Sequence, residues 1–178
     1  MKYTRVLSVQ TVLLVLAAAF AGLMLGSQEA QGATWKGLEP LVSKRADVER
    51  VLGPPTADRL AKDGTLQFAA PEGAVTVFFV TPKFIAARKL PPRVEGTVLL
   101  ILVQHTSSRT TPGSMRLPAN QDFERQVSGP KEIYSNPKDG IYHTFLESRL
   151  DTTRYSYSAE RFTKLQDELK LAAPSGKD

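Results

Sequence analysis

Beyond residue 32, most of this chain is written in short runs of alternating apolar and polar positions broken by turn residues, and helical spacing surfaces near its two ends. Between residues 44 and 52, Val48, Val51 and Leu52 fall at i, i+3 and i+4 and share one face of a short helix. Ser43 stands where an N-cap belongs, and Leu41 and Val42 just before it are placed to fold back as a hydrophobic staple. Gly53 supplies a left-handed stop, and Pro54 and Pro55 cannot continue the helix. Upstream, Trp35 with Gly37 and Pro40 predicts an ordered turn that packs the indole on the core. A second helix is predicted over 159–171, capped by Ser158 and carrying the apolar stripe Phe162, Leu165 and Leu169.

The strand runs lie between these ends. Residues 57–61, 65–69 and 74–80 read as strands, the third rich in β-branched and aromatic residues, with turns at Asp63-Gly64 and Pro71-Glu72-Gly73, so they predict a first antiparallel meander. Residues 81–93 break it with three prolines and four basic residues, which reads as an exposed connection containing one helical turn. The run 97–105 is almost unbroken in apolar character and predicts a central strand covered on both faces. A loop over 106–120, a short helix over 121–127 and a second meander from 131–135, 141–147 and 152–157 complete the pattern. The expected fold is therefore α+β: a mostly antiparallel sheet, two meanders plus a central strand, packed against an N-terminal short helix and a C-terminal helix. It occupies one domain over 33–171, with a frayed tail over 172–178.

The first 32 residues read as an address. Lys2 and Arg5 form a positive leader, residues 11–25 an apolar run, and Ala30-Gln31-Gly32 a small-residue cleavage site, so a signal peptide is expected, or an uncleaved anchor if the cut is not made. The formal charge is +5, or +4 without those residues, and no nucleic-acid motif accompanies it. The chain has no cysteine, so an exported domain must hold together without disulfides.

Gly37, Leu41, Ser43, Val48, Leu52, Gly53 and Pro55 resemble the opening motif of the SmpA/OmlA (BamE-like) domain, in which a capped helix ending in Leu-Gly-x-Pro leads into an antiparallel sheet. The fuller string, Trp35 with Pro40, Leu41, Ser43 and residues 45–53, resembles small secreted bacterial proteins that share this opening. The resemblance implies a periplasmic binding or assembly module and gives Trp35, Ser43, Val48, Leu52, Gly53 and Pro55 structural roles. Members of the first family are usually lipoproteins, and this chain lacks the cysteine that would carry the lipid.

Candidate chemistry is sparse. The two histidines lie 38 residues apart, without the spacing of a metal site, and no Gly-x-Ser-x-Gly elbow, phosphate loop or dinucleotide fingerprint occurs, so neither cofactor nor metal is expected. The nearest catalytic arrangement is His143 with Asp151 or Glu147 and a serine such as Ser148 or Ser156. Two contact surfaces are more in keeping with the composition. Lys83, Arg88, Lys89 and Arg93 make a basic segment suited to an anionic envelope polymer, and Tyr134, Tyr142, Tyr155 and Tyr157 predict an adaptable sheet face for a protein partner. The functional expectation is an exported, monomeric, non-catalytic envelope binding or scaffold protein that binds no nucleic acid and meets the membrane only through an uncleaved N-terminal segment. The alternatives are an inhibitor of a secreted enzyme, or a small hydrolase using His143.

Overall fold

A computed structural model describes residues 33–172, so the expected signal peptide over residues 1–32 and the tail after Ala172 lie outside the described residues. Strands β1 (Ala57–Arg59), β2 (Thr65–Ala70), β3 (Gly73–Phe79) and β4 (Val98–His105) form one meander. Strands β5 (Glu124–Ser128), β6 (Lys131–Asn136), β7 (Ile141–Leu146) and β8 (Arg149–Ser156) form the other. They join where β4 pairs with β8, making a single eight-stranded antiparallel sheet in the order β1-β2-β3-β4-β8-β7-β6-β5. The protein is α+β, and its most apolar strand, β4, lies at the middle of that sheet.

The first helix, α1 (Arg45–Leu52), ends as its sequence predicts, with Gly53 at φ +79° and its N–H donating to the Glu49 carbonyl at 2.9 Å. Its start differs. Lys44 is the residue before the first turn, and its N–H donates to the Asp47 carboxylate at 2.9 Å; the Ser43 hydroxyl instead accepts from Glu39 N–H at 2.9 Å. Ser43 is pulled away because residues 41–43 pair with the beginning of β4: Leu41 N–H donates to Val98 O at 2.6 Å, and Val98 N–H to Ser43 O at 2.7 Å. For the same reason no staple forms. Leu41 is buried in a cluster with Leu90, Val94 and Leu165, away from Val48, while Val42 is left exposed.

Other departures have local causes. The strand expected over 57–61 stops at Arg59, where the Asp58 carboxylate accepts Leu60 N–H at 3.1 Å and starts a single turn, α2 (Leu60–Asp63), that Gly64 closes at φ +74°. The helix expected over 121–127 is β5: Gly129-Pro130 makes a two-residue turn, with Gly129 at φ +58°, and folds this segment back along β6. Pairing with β6 outweighs the i, i+4 spacing of Phe123 and Val127, so Phe123 reaches the core and Val127 stays exposed. The segment after β3 is a two-turn helix, α3 (Pro82–Arg88), because the Thr81 hydroxyl accepts Phe84 N–H and Pro82 suits the first helical position.

Three apolar clusters hold the layers together. Trp35, Leu38 and Val48 pack on Leu66, Phe68, Val75, Val77, Ile101 and Val103 from one face of the first meander. On the second meander, Leu117 and Phe123 from the long connection lie against Tyr134, Phe145 and Leu150. At the sheet end where β3 and β8 finish, α3 and the C-terminal helix α4 (Ala159–Ala172) bury Val80, Leu90, Val94 and Leu165. Ser158 does cap α4, its hydroxyl accepting Arg161 N–H at 3.2 Å. Ser158→Ala is expected to cost about 1 kcal/mol in chemical denaturation, the usual loss for an N-cap hydroxyl. Ser43→Ala should leave α1 helicity by circular dichroism unchanged, since its hydroxyl caps no turn of that helix.

Candidate binding surface

Register decides which side chains share a face. One face carries the rows Leu66-Val77-Ile101-Tyr155-Ile141 and Phe68-Val75-Val103-Thr153-His143-Tyr134, and most of these are buried. The opposite face carries Thr76-Leu102-Arg154-Tyr142 across β3, β4, β8 and β7, with Phe78 and Leu100 in the next row. Phe78, Leu100, Leu102 and Tyr142 are half-buried, and Gln104 and Arg154 exposed. The expectation that β4 is covered on both faces is thus corrected: Ile101 and Val103 are buried, whereas Leu100 and Leu102 look out onto the open face.

The four tyrosines do not form one surface. Tyr134 is buried edge-on against Phe145, with ring centroids 5.8 Å apart. Tyr155, also on the closed face, tilts against Trp35 at 6.4 Å, and Tyr157 stacks on Phe162 of α4 at 4.9 Å. Only Tyr142 among them stands on the open face, where the Arg154 guanidinium lies 3.7 Å from its ring centroid. Residues an odd number of positions apart along a strand point to opposite faces, and between strands the register decides; neither is visible from tyrosine content alone.

The basic segment is likewise divided. Lys83 and Arg88 sit at opposite ends of α3, about 140° apart around its axis at 3.6 residues per turn. Arg88 lies over the Phe84 ring at 6.0 Å, and its carbonyl accepts the Gln166 amide of α4 at 2.7 Å. Lys89 takes a left-handed turn at φ +53°, and Arg93 forms an ion pair with Glu168 of α4. Lys83 and Lys89 remain exposed, but the segment as a whole is a docked element and not a solvated loop. The residues of the opening motif take structural positions: Trp35 and Val48 are buried, Leu52 packs against the first cluster, and Pro55, half-buried, follows the Gly53 stop.

The two histidines, distant in sequence, meet. Because β4 and β7 both flank β8, the Thr153 hydroxyl of β8 sits 3.0 Å from His105 Nε2 and 3.2 Å from His143 Nδ1. A hydroxyl has one proton, so with both rings neutral it donates to one imidazole and accepts from the other. His143 is buried and stacked on Phe123 at 5.8 Å. Burial, with a smaller contribution from the nearby His105, pushes its pKa down to about 4. Burial also lowers that of His105, while Glu72 and Asp151 pull it the other way.

The catalytic arrangement considered for His143 is not assembled. Glu147 and Ser148 are exposed in the β7–β8 turn, Ser156 faces the open side, and Asp151 acts electrostatically on His105. Among the described residues no three His, Asp or Glu side chains converge as a metal site would require.

The open face ends in a cleft of about 310 Å³ between the sheet, α3 and the start of α4. Phe84, Leu99, Leu100 and Pro137 form its apolar walls, and Arg154 with the hydroxyls of Tyr142, Ser156 and Tyr157 its polar side. A β-bulge shapes it: Phe78 pairs with Leu100 and Phe79 with Val98, so Leu99 is left unpaired and two successive leucines line the same cleft.

What the fold defines is an α+β protein whose antiparallel sheet is closed on one side and open on the other. No family model, curated protein or solved structure matches the chain.

Proposed function

We propose that this is an exported, monomeric, non-catalytic binding protein of the cell envelope that presents the open face of its sheet to a partner protein. The observation that carries the reading is the row Thr76-Leu102-Arg154-Tyr142 with its neighbours Phe78 and Leu100: half-buried apolar and aromatic side chains at the centre of a sheet whose other face is mostly buried. A mixed surface of this kind, apolar and aromatic with one arginine, has the composition of protein-contact patches. The signal-like leader supports export, and the likeness of the opening motif to BamE-like domains supports a binding or assembly role. The exposed Lys83 and Lys89 on the neighbouring edge suit an anionic partner surface.

Affinity capture from envelope extract with the mature protein tests this. Leu102→Glu, which replaces an apolar contact at the middle of the open face with a carboxylate beside Arg154, is expected to lower retention of the partner at least about tenfold, the scale of losing an interface anchor. Val51→Glu, on the exposed side of α1, should leave retention unchanged. Equal retention by the Leu102→Glu protein would refute the reading.

A further inference from the structure

The cleft at the end of the open face carries charge information that the face as a whole does not. Among the described residues, the Arg154 side chain makes no ion pair or hydrogen bond to a protein group; its guanidinium lies against the Tyr142 ring. Arg45, Arg50, Arg93 and Arg161 are each paired with a carboxylate, whereas Arg88 of α3, like Arg154, lies over an aromatic ring, that of Phe84. Tyr142, Ser156 and Tyr157 line the same cleft, and no protein group among the described residues hydrogen-bonds their hydroxyls. No acidic side chain lines it. One unneutralised cation and three hydroxyls without partners therefore converge beside an apolar wall.

Stacking holds the planar guanidinium by its face and leaves its N–H edge free to bond, and that edge matches the two oxygens of a carboxylate. The apolar wall is built by the bulge that turns both Leu99 and Leu100 inward, by Phe84 of α3 and by Pro137 of the β6–β7 turn. The volume, about 310 Å³, lies at the lower end of small-molecule sites, too small for a folded partner and sufficient for a short chain or ring. A single positive charge against an otherwise uncharged lining balances a single negative charge.

We infer that this cleft binds a small amphiphile carrying one carboxylate, with its carboxylate on Arg154 and its apolar body along Phe84, Leu99 and Leu100. This rests on the reading of the open face as a binding surface and names the ligand class one end of it accepts.

Titration of the mature protein with decanoate, held below its micellar concentration and followed by calorimetry, tests the assignment. Decanoate is expected to bind saturably at one site, and decanol, which has the same chain without the charge, at least about tenfold more weakly, since a charge-assisted bidentate contact is among the stronger polar contacts. Arg154→Gln should lose about tenfold in decanoate affinity and nothing in decanol affinity, with Trp35 emission unchanged as the control for folding. Arg154→Lys, which keeps the charge but not the planar fork, should fall between. Equal binding of decanoate and decanol, or full decanoate affinity in Arg154→Gln, would overturn the proposal. Should decanoate fail to bind while Leu102→Glu still abolishes partner retention, the cleft assignment falls and the binding face stands. Should decanoate bind as expected while Leu102→Glu leaves retention intact, the cleft stands without the wider face.

Discussion

Gly140→Ala is expected to destabilise the protein by about 3 kcal/mol, more than any conservative surface change, because strained backbone and a backbone collision add at this position. Gly140 ends the turn between β6 and β7 at φ +76°, a conformation L side chains resist. Its N–H donates to the Asn136 carbonyl and its carbonyl accepts Ser156 N–H, each at 2.8 Å, so the turn is latched to the end of β8. A Cβ here would fall on the Ser156 carbonyl oxygen and come within 2.8 Å of the Tyr157 oxygen. Those are main-chain atoms at the end of β8, where Ser156 pairs with Leu100 of β4, and they cannot swing away as a side chain would.

The latch also borders the cleft, since Pro137, Ser156 and Tyr157 line it. The alanine variant should therefore lose decanoate affinity along with stability. Gly129→Ala separates the two contributions: it sits at φ +58° with nothing within 4 Å of the added atom, so it should show only the left-handed cost, about 1 to 2 kcal/mol. Urea denaturation followed by Trp35 emission measures both. If the two alanines cost the same, the close approach at Gly140 is not a constraint.

Strands β2 to β4 and β6 to β8 and both terminal helices were legible in the sequence because their signals are local. Alternation in β3 and β7, the Gly53-Pro54-Pro55 stop and the Ser158 cap each depend on a few neighbouring residues, and each acts in the fold as it reads. What depended on distant pairing was not legible. Ser43 has a good capping side chain, but its segment is bound to β4, more than fifty residues downstream, and the cap passes to Asp47. Residues 124–128 carry no strong strand character and become β5 because the Gly129-Pro130 turn lays them on β6.

The candidate surface divides along the same line. Tyr142 could be picked out by type, but not its separation from Tyr134 and Tyr155, which follows from register across three strands. Arg154 had no signal of its own: a single arginine in a Thr-rich strand gains meaning only when β8 lies between β4 and β7 and places it beside Leu102 and over Tyr142. The bulge at Leu99 was equally hidden, because residues 98–103 show no break in apolar character. The clue that could have been used is that four of the six residues 98–103 are leucine or isoleucine, more than one face of a strand requires.

Acid will weaken this fold through His143. Its ordinary pKa is about 6.5, and in the folded protein burial against Phe123 brings it to about 4, so the unfolded chain binds the proton more readily than the native one. Stability linked to this group is fully present above pH 6.5 and is lost as the pH falls from there towards 4, because the unfolded state takes up a proton throughout that window. The full loss is about 3 kcal/mol, from 1.36 kcal/mol for each unit of difference. Protonation also removes the shared arrangement at Thr153: two cationic rings would each offer N–H to the hydroxyl, leaving its own proton without an acceptor and two like charges close together. His105 shifts in the same direction and adds to the loss, with Glu72 and Asp151 reducing its share. The carboxylates whose pKa the fold lowers, Asp47, Asp58 and Glu72, also give up stability in acid, but through their own, already low, folded values. His143→Gln isolates the histidine. Relative to wild type, whose stability should drop steeply between pH 6.5 and 4.5, the variant should show a shallower slope over that range and the same slope below pH 4. Parallel pH profiles for the two proteins would mean that the buried imidazole is not what acid titrates.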